Sequence, residues 1–217
     1  MIRRLALAPR LAVLVLPLLL AACSTGDELR PYAFVRRADV WQAVITDADR
    51  SRLSRTAAAW RQAGADVSGA GADAALAALG PAGQSETRAP PLFPAAGSFQ
   101  CRTILLGWRQ GEPQITPPVQ AGAWAPCKLA ADGILFRFET APGPQQYLGT
   151  LYPDVDRLVF LGTVRLAGEM GRLRYGADHA RDQVGVLQAI APSHWRIALP
   201  WPQWTARLVL IEIRVPA

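Results

Sequence analysis

The sequence predicts a mainly β, α+β protein: an N-terminal helical segment, then an antiparallel sheet of eight or nine strands that curls or closes into a β-barrel. Three observations predict it. From Phe99 onward apolar residues alternate with polar ones, the pattern of strands with one wet face. Turn signals recur at hairpin spacing, at Asp132-Gly133, Pro153-Asp154, Ala167-Gly168-Glu169, Ala177-Asp178 and Pro192-Ser193. Glycines sit in mid-strand at Gly149, Gly162 and Gly185, where a flat strand would be weakened and a bend or close backbone approach is implied. A chain of 217 residues, 51% hydrophobic, has room for one such domain with a tail.

Residues 1–22 read as an export signal. Arg3, Arg4 and Arg10 give a positive start. Residues 11–20 are apolar but too short for a bilayer core, which needs ~20 residues. The run ends in Leu20-Ala21-Ala22-Cys23, which resembles the lipobox of bacterial lipoproteins. That resemblance implies acylation of Cys23 and attachment to the membrane through the lipid, each buried methylene contributing roughly 0.8 kcal/mol. Ser24, rather than aspartate, after the cysteine is similar to chains sorted to the outer membrane. The expected address is therefore the cell envelope, on the outer membrane facing the periplasm. Loss of residues 1–22 removes three arginines and no acid, which lowers the net charge from +6 to +3. Cys101 and Cys127 then remain as an even pair in an oxidising compartment, either disulfide-bonded or as two free thiols. A bond between them would close a loop of about 26 residues and stabilise by ~3 kcal/mol through chain entropy.

Residues 23–36 read as a polar tether and 37–66 as helix. Trp41, Val44, Ile45 and Ala48 keep helical spacing, while Thr46 with Asp47 and Asp49 offers an N-cap and an acidic first turn, so two helices meet near residue 46. Leu53, Ala57, Trp60 and Gly64 carry a second apolar stripe, surrounded by Arg50, Arg52, Arg55 and Arg61. Residues 67–97 read as an Ala/Gly/Pro-rich linker. It holds a short helix over 72–79 closed by Gly80 and Pro81, and Pro90, Pro91 and Pro94 argue against regular structure beyond it. The β domain spans 98–217 and packs with 37–66 as one domain. Its strands are expected over 99–107, 127–131, 134–140, 147–152, 158–166, 173–175, 182–190, 195–199 and 207–215. The rows Phe136, Phe138, Leu158, Phe160, Trp195 and Ile197 would line a hollow barrel or fill a solid one, since ~8 strands enclose little beyond side chains or one ligand.

The order of short motifs carries a resemblance. Arg37-Ala38-Asp39-Val40-Trp41, Asp49-Arg50 with Arg52-Leu53, Cys101-Arg102-Thr103-Ile104, Leu151-Tyr152-Pro153-Asp154, Leu158 to Thr163, Tyr175-Gly176, Arg181-Asp182, Trp195 to Pro200 and the Glu212 to Pro216 ending follow one another. Together they resemble a bacterial family of exported proteins grouped as a domain of unknown function, numbered 4893. The similarity spans roughly 37–216, with 64–97 outside it. It implies a fold neighbourhood and carries over no catalytic residue.

No cofactor motif is present: the chain has no phosphate-binding glycine loop, no dinucleotide fingerprint and no G-x-S-x-G elbow. His179 and His194 lack companions at metal-ligand spacing, so no metal ligand and no catalytic residue is assigned. Dispersed arginines, a single lysine (Lys128) and export exclude nucleic acid as a partner. Candidate binding residues are Trp201 and Trp204, in the stiff Pro200-Trp201-Pro202-Gln203-Trp204 loop, and Arg181 with Asp182 at a strand start. The expected function is a non-enzymatic binding module that holds a small apolar ligand in the barrel or engages an envelope protein partner at its rim. The alternatives are a hydrolase using Asp154, Asp178 or Asp182 with an arginine, and a structural surface lipoprotein. A polar pocket joining two of those carboxylates with an arginine favours the hydrolase; a dry, filled interior rules out both it and a ligand carrier. Replacing Cys23→Ala should abolish incorporation of labelled palmitate in the expressing cell, and label that persists in that variant would contradict the anchor.

Overall fold

Strand pairing closes on itself in the computed structural model. It describes residues 40–87, 93–109, 111, 115–171 and 173–216. Cys23, the tether at 23–36, positions 37–39 and Pro90-Pro91 lie outside the described residues. The chain divides into two units, Met1–Phe34 and Val35–Ala217, and every described residue belongs to the second. Nine strands form one antiparallel sheet: β1 (Gly97–Leu106), β2 (Val119–Ala121), β3 (Ala125–Asp132), β4 (Leu135–Thr140), β5 (Gln145–Asp154), β6 (Arg157–Leu166), β7 (Asp182–Ala191), β8 (His194–Pro200) and β9 (Leu208–Arg214). From β3 to β9 each strand pairs with the next, and β1 pairs with both β3 and β9, which closes an eight-stranded barrel. The sheet therefore has no long open edge to protect. Strand β2 is an addition that sequence periodicity misses. It is three residues long and pairs with Ile104–Leu106, beyond the stretch of β1 that β3 occupies. The three residues expected as a strand at 173–175 are instead irregular chain in the β6–β7 connection, because Tyr175 is drawn away to a helix.

Alternate residues of the eight barrel strands fill the interior. Phe99, Leu129, Phe138, Leu151, Leu158, Phe160, Leu187, Trp195, Ile197, Val209 and Ile211 belong to one buried cluster, with Phe136 packed against it. Two edge-to-face pairs, Phe99–Trp195 at 5.8 Å and Phe138–Phe160 at 6.1 Å, knit the middle together. The rows that could have lined a hollow barrel form a solid core. Phe160 explains two of the mid-strand glycines, Gly149 and Gly162, and the close approach of Ala198 and Leu199 explains the third, Gly185. Gly149 and Gly162 face each other across β5 and β6, and Gly185 lies opposite Phe160 on β7. A Cβ on Gly149 would fall 2.5 Å from the Phe160 ring and 2.6 Å from the Leu161 carbonyl. The glycines thus make room for one ring and for close strand approach. Cys101 and Cys127 are disulfide-bonded, with Cα atoms 5.7 Å apart. The bridge lies where β1 passes from pairing with β3 to pairing with β2.

The outer surface divides in two. Strand β3 alternates buried and exposed residues over Cys127–Leu129, whereas β6, β7, β8 and β9 are buried on both faces through most of their length. Such strands need a cover outside. Helices supply it: α1 (Trp41–Val44), α2 (Asp47–Ser54), α3 (Thr56–Gly69) and α4 (Asp73–Ala77), followed by a 3-10 turn at Gly80–Gly83. Thr46 caps α2 as its side chain accepts from the Asp49 N–H at 3.2 Å, which places the expected break at residue 46. A second break at Arg55, not foreseen, separates α2 from α3. Helix α3 continues to Gly69, three residues beyond the expected end of the helical segment. It presents Ala59 and Ala63 to Ile104, Leu106, Leu208 and Leu210, where two small side chains let helix and sheet approach closely. Trp41, Val44, Ile45 and Leu53 cover Leu135, Tyr152, Val159, Leu161 and Val184 on the adjoining wall.

Gly149→Ala should destabilise the protein by about 2 kcal/mol through overpacking. Phe160→Leu in the same chain should recover part of that loss, so that the two changes are strongly non-additive in urea unfolding. Additive effects would contradict the fit of ring over glycine.

Candidate functional site

The connections β6–β7 and β8–β9 meet at one end of the barrel and, with the first residue of β7, hold the four residues singled out as binding candidates. Arg181 is tied into the rim by an ion pair with Glu169 and by a 3.0 Å hydrogen bond to Asp178. Its guanidinium lies 5.8 Å from the ring of Trp204, which is 36% exposed. Those contacts hold Arg181 above the usual arginine range and hold Glu169 below the usual carboxylate range, the hydrogen bond between the two being the main cause. Asp182 is buried and turns away from Arg181. It accepts from the Gly176 N–H at 2.8 Å and pairs with Nδ1 of His179 at 3.0 Å. Trp201 sits at φ 53°, a left-handed conformation that a bulky residue adopts only when its surroundings impose it. Its indole donates to the Arg55 carbonyl at 3.2 Å, and the Arg55 guanidinium stacks 5.4 Å from the ring. Trp201 therefore fastens the helical layer to the barrel end. The structure brings Arg181 and Trp204 into contact, while Trp201 and Asp182 serve neighbouring structural contacts.

Two further clamps hold the helices. Asp49 and Arg52, both buried, form an ion pair within α2. Arg52 donates to the Asp182 carbonyl at 2.8 Å, and the Tyr175 hydroxyl donates to Asp49 at 2.6 Å. Burial, and then the hydrogen bond to Asp49, push the Tyr175 hydroxyl above the ordinary tyrosine range. On β8, Arg196 is fully buried on the outer face. One of its terminal nitrogens donates to the carbonyls of Ala82, at 2.9 Å, and Gln84, while the ring of Trp60 lies 4.7 Å above the guanidinium. Burial pulls the pKa of its guanidinium down to about 10. The segment that the sequence presents as a plain linker thus supplies the acceptors for the most buried cation of the barrel wall.

Glu212, opposite Arg196 across β8 and β9, is likewise buried and outward-facing. It accepts from Arg102 at 2.5 Å and pairs with Nε2 of His194 at 2.6 Å. Burial opposes the charge, yet the bonds from His194 and Arg102 prevail and hold the carboxyl below its usual range. Trp124 is stacked between Arg102 and Arg214, 4.8 and 3.9 Å from its ring. Asp154 pairs with Arg157 at 3.0 Å at the opposite end of the barrel from Asp178 and Asp182. Among the described residues no three His, Cys, Asp or Glu side chains gather to hold a metal ion.

Two concavities stand out. One, of about 670 Å3, lies at the barrel mouth beside β2 and is walled mainly by alanine, proline and glycine, with Leu105, Tyr147 and Leu166 toward the interior. The other, of about 880 Å3, is a groove on the outer wall. Its floor is the cross-strand pair Val186 and Ala198 with Gln188 beside them. Trp41 and Leu53 line it from the first two helices, Ala57, Trp60, Gly64 and Val67 from α3, and Gly83, Ser85 and Glu86 from the end of the 3-10 turn and beyond it. Arg50, Arg61 and Arg157 stand along it. The volume is within the usual range for small-molecule sites, ~300–1,000 Å3.

The family model that matches the sequence is Domain of unknown function (DUF4893), over residues 41–213. The chain belongs to that family. Comparison with curated proteins and with solved structures finds no match. The matched span begins at Trp41 and ends at Ile213, so it takes in the helices, the barrel and both concavities.

The groove was not singled out from sequence, although part of its signal was there. On α3, Ala57 and Gly64 line the groove, Trp60 and Ala63 both line it and pack on the sheet, and Ala59 packs on the sheet alone. A helix whose apolar surface extends beyond its sheet-facing side has more of it than packing on a single sheet requires.

The Glu212 network sets a pH dependence. A carboxyl depressed in the folded state stabilises fully above its unfolded value, ~4.3, and that contribution is lost as pH falls through the folded value. Wild-type protein should therefore lose stability below about pH 4. Glu212→Gln should cost about 2 kcal/mol at neutral pH and flatten the acid limb of the stability curve. An unchanged acid limb would contradict the role of this carboxyl.

Proposed function

We propose that this is a lipid-anchored protein of the cell envelope, held on the outer membrane through Cys23 and facing the periplasm. It acts as a non-enzymatic binding module for a small apolar ligand. The observation that carries the reading is the wall groove, an apolar trough of about 880 Å3 between two tryptophans. Because the barrel interior is solid, the ligand site belongs on the wall rather than along the barrel axis. The lipobox supports the anchor and the address. The hydrolase reading loses ground on geometry: Asp154 lies at the other end of the barrel from Asp178 and Asp182, each has its own partner, and none lines the groove or the mouth. The rim arginine and its two carboxylates neutralise one another instead of facing a cavity.

The unit Val35–Ala217 contains every strand and helix described above and the disulfide. Exported to the periplasm of two different hosts and sprayed under native conditions, it should carry an added small mass that disappears on denaturation. A bare polypeptide mass from both hosts would contradict a bound ligand.

A further inference from the structure

The chemistry of the groove narrows what it can hold. Two of its three lining hydroxyls are engaged within the chain: Ser54 donates to the Ser51 carbonyl at 2.9 Å and Thr56 to the Leu53 carbonyl at 2.6 Å, while the third, Ser85, is exposed. Gln188, the polar residue of the floor, accepts from Arg196. A sugar or peptide laid here would find one unpartnered donor, Nε1 of Trp41, and would leave most of its own donors and acceptors without partners. An apolar chain loses nothing by the same move, and gains contact with Trp41, Trp60, Leu53 and Val186.

The edge of the trough carries the opposite information. Arg50, Arg61 and Arg157 line it against one acid, Glu86. Arg50 donates to the Gln42 carbonyl and Arg157 pairs with Asp154 through Nε. Arg61 is exposed and has no ion pair among the described residues. A guanidinium with unengaged donors beside an apolar trough suits a carboxylate head on an apolar tail, since the planar fork matches that group.

Gly64 is the second, independent observation. It lies inside α3, where glycine is disfavoured relative to alanine, and a Cβ built on it meets nothing within 4 Å. Its neighbours therefore give no steric reason for glycine. The space over it belongs to the groove.

We propose that the groove binds a free single-chain amphiphile with an anionic carboxylate head: the tail lies along α3 over Gly64 and Val186, and the head is taken by Arg61. This rests on the binding-module reading above and adds the ligand class to it. Titration calorimetry on Val35–Ala217, stripped of endogenous ligand, tests it with three twelve-carbon probes below their micelle concentrations: dodecanoate, dodecyltrimethylammonium and dodecyl maltoside. Dodecanoate should bind at least tenfold more tightly than the other two. Gly64→Leu should fill the trough and weaken dodecanoate at least tenfold at an undiminished melting temperature, and Ala57→Leu, on the same helix face, serves as a second blocking variant. Arg61→Gln should weaken dodecanoate several-fold and leave dodecyl maltoside unchanged. Equal binding of all three probes, blocked alike by Gly64→Leu, would overturn the anionic head while leaving the binding module standing. No binding of any probe, or dodecanoate binding indifferent to both blocking variants, would overturn the groove as well. A dimer abolished by Gly64→Leu would make the trough an interface between copies and overturn the ligand.

Discussion

Strands β6 to β9 are buried on both faces, and a barrel wall of that kind cannot face water. The interior row of these strands is satisfied by the solid core around Phe160, but Val159, Leu161, Val184, Val186, Ala198, Leu208 and Leu210 point outward. At about 25 cal/mol per Å2 of apolar surface, leaving that many aliphatic side chains exposed would forfeit much of what barrel closure gains. The helical layer answers this need. Its amphipathic stripes, the close-packing alanines of α3 and the turn beyond α4 all follow from having to cover a curved apolar wall.

Apolar contact alone would let such a layer slide. Three arginines fix its position instead. Arg52 joins α2 to the start of β7 through the Asp182 carbonyl, Arg55 stacks on Trp201 at the barrel end, and Arg196 reaches out from β8 to gather the carbonyls after Pro81. Arg52 and Arg196 are buried, and burying a cation costs several kcal/mol unless its donors are met. Their geometry is therefore demanding, and it places the helices to within the length of a hydrogen bond. The groove is a consequence of that placement. The cover is pinned on both sides of Val186 and Ala198 without closing over them.

The legible parts of the fold were those governed by local periodicity. Alternation and turn chemistry located eight of the nine strands, and Thr46 with its two aspartates marked the start of α2. The glycines at 149, 162 and 185 announced close approach, though not the Phe160 ring that requires the first two or the neighbouring strand that requires the third. What stayed hidden depends on contacts distant in sequence. Strand β2 is too short for a period, and Tyr175 leaves its apparent strand for Asp49, 126 residues away. The 80–84 turn looks like a linker until Arg196, more than a hundred residues later, folds beneath it. Arg181 and Trp204 could be picked from sequence because charged and aromatic residues in turns are conspicuous. Their consequence is a sealed rim, while the groove draws on residues that look like ordinary helix and strand.

The direct measurement is a crystal structure of Val35–Ala217 grown with dodecanoate. Continuous density along α3 between Trp41 and Trp60, with its head at Arg61, is expected, together with an unbroken barrel core. Density confined to the barrel mouth beside β2, or side chains closing the trough over Val186 and Ala198, would contradict the view that the incomplete cover of the wall is the working site.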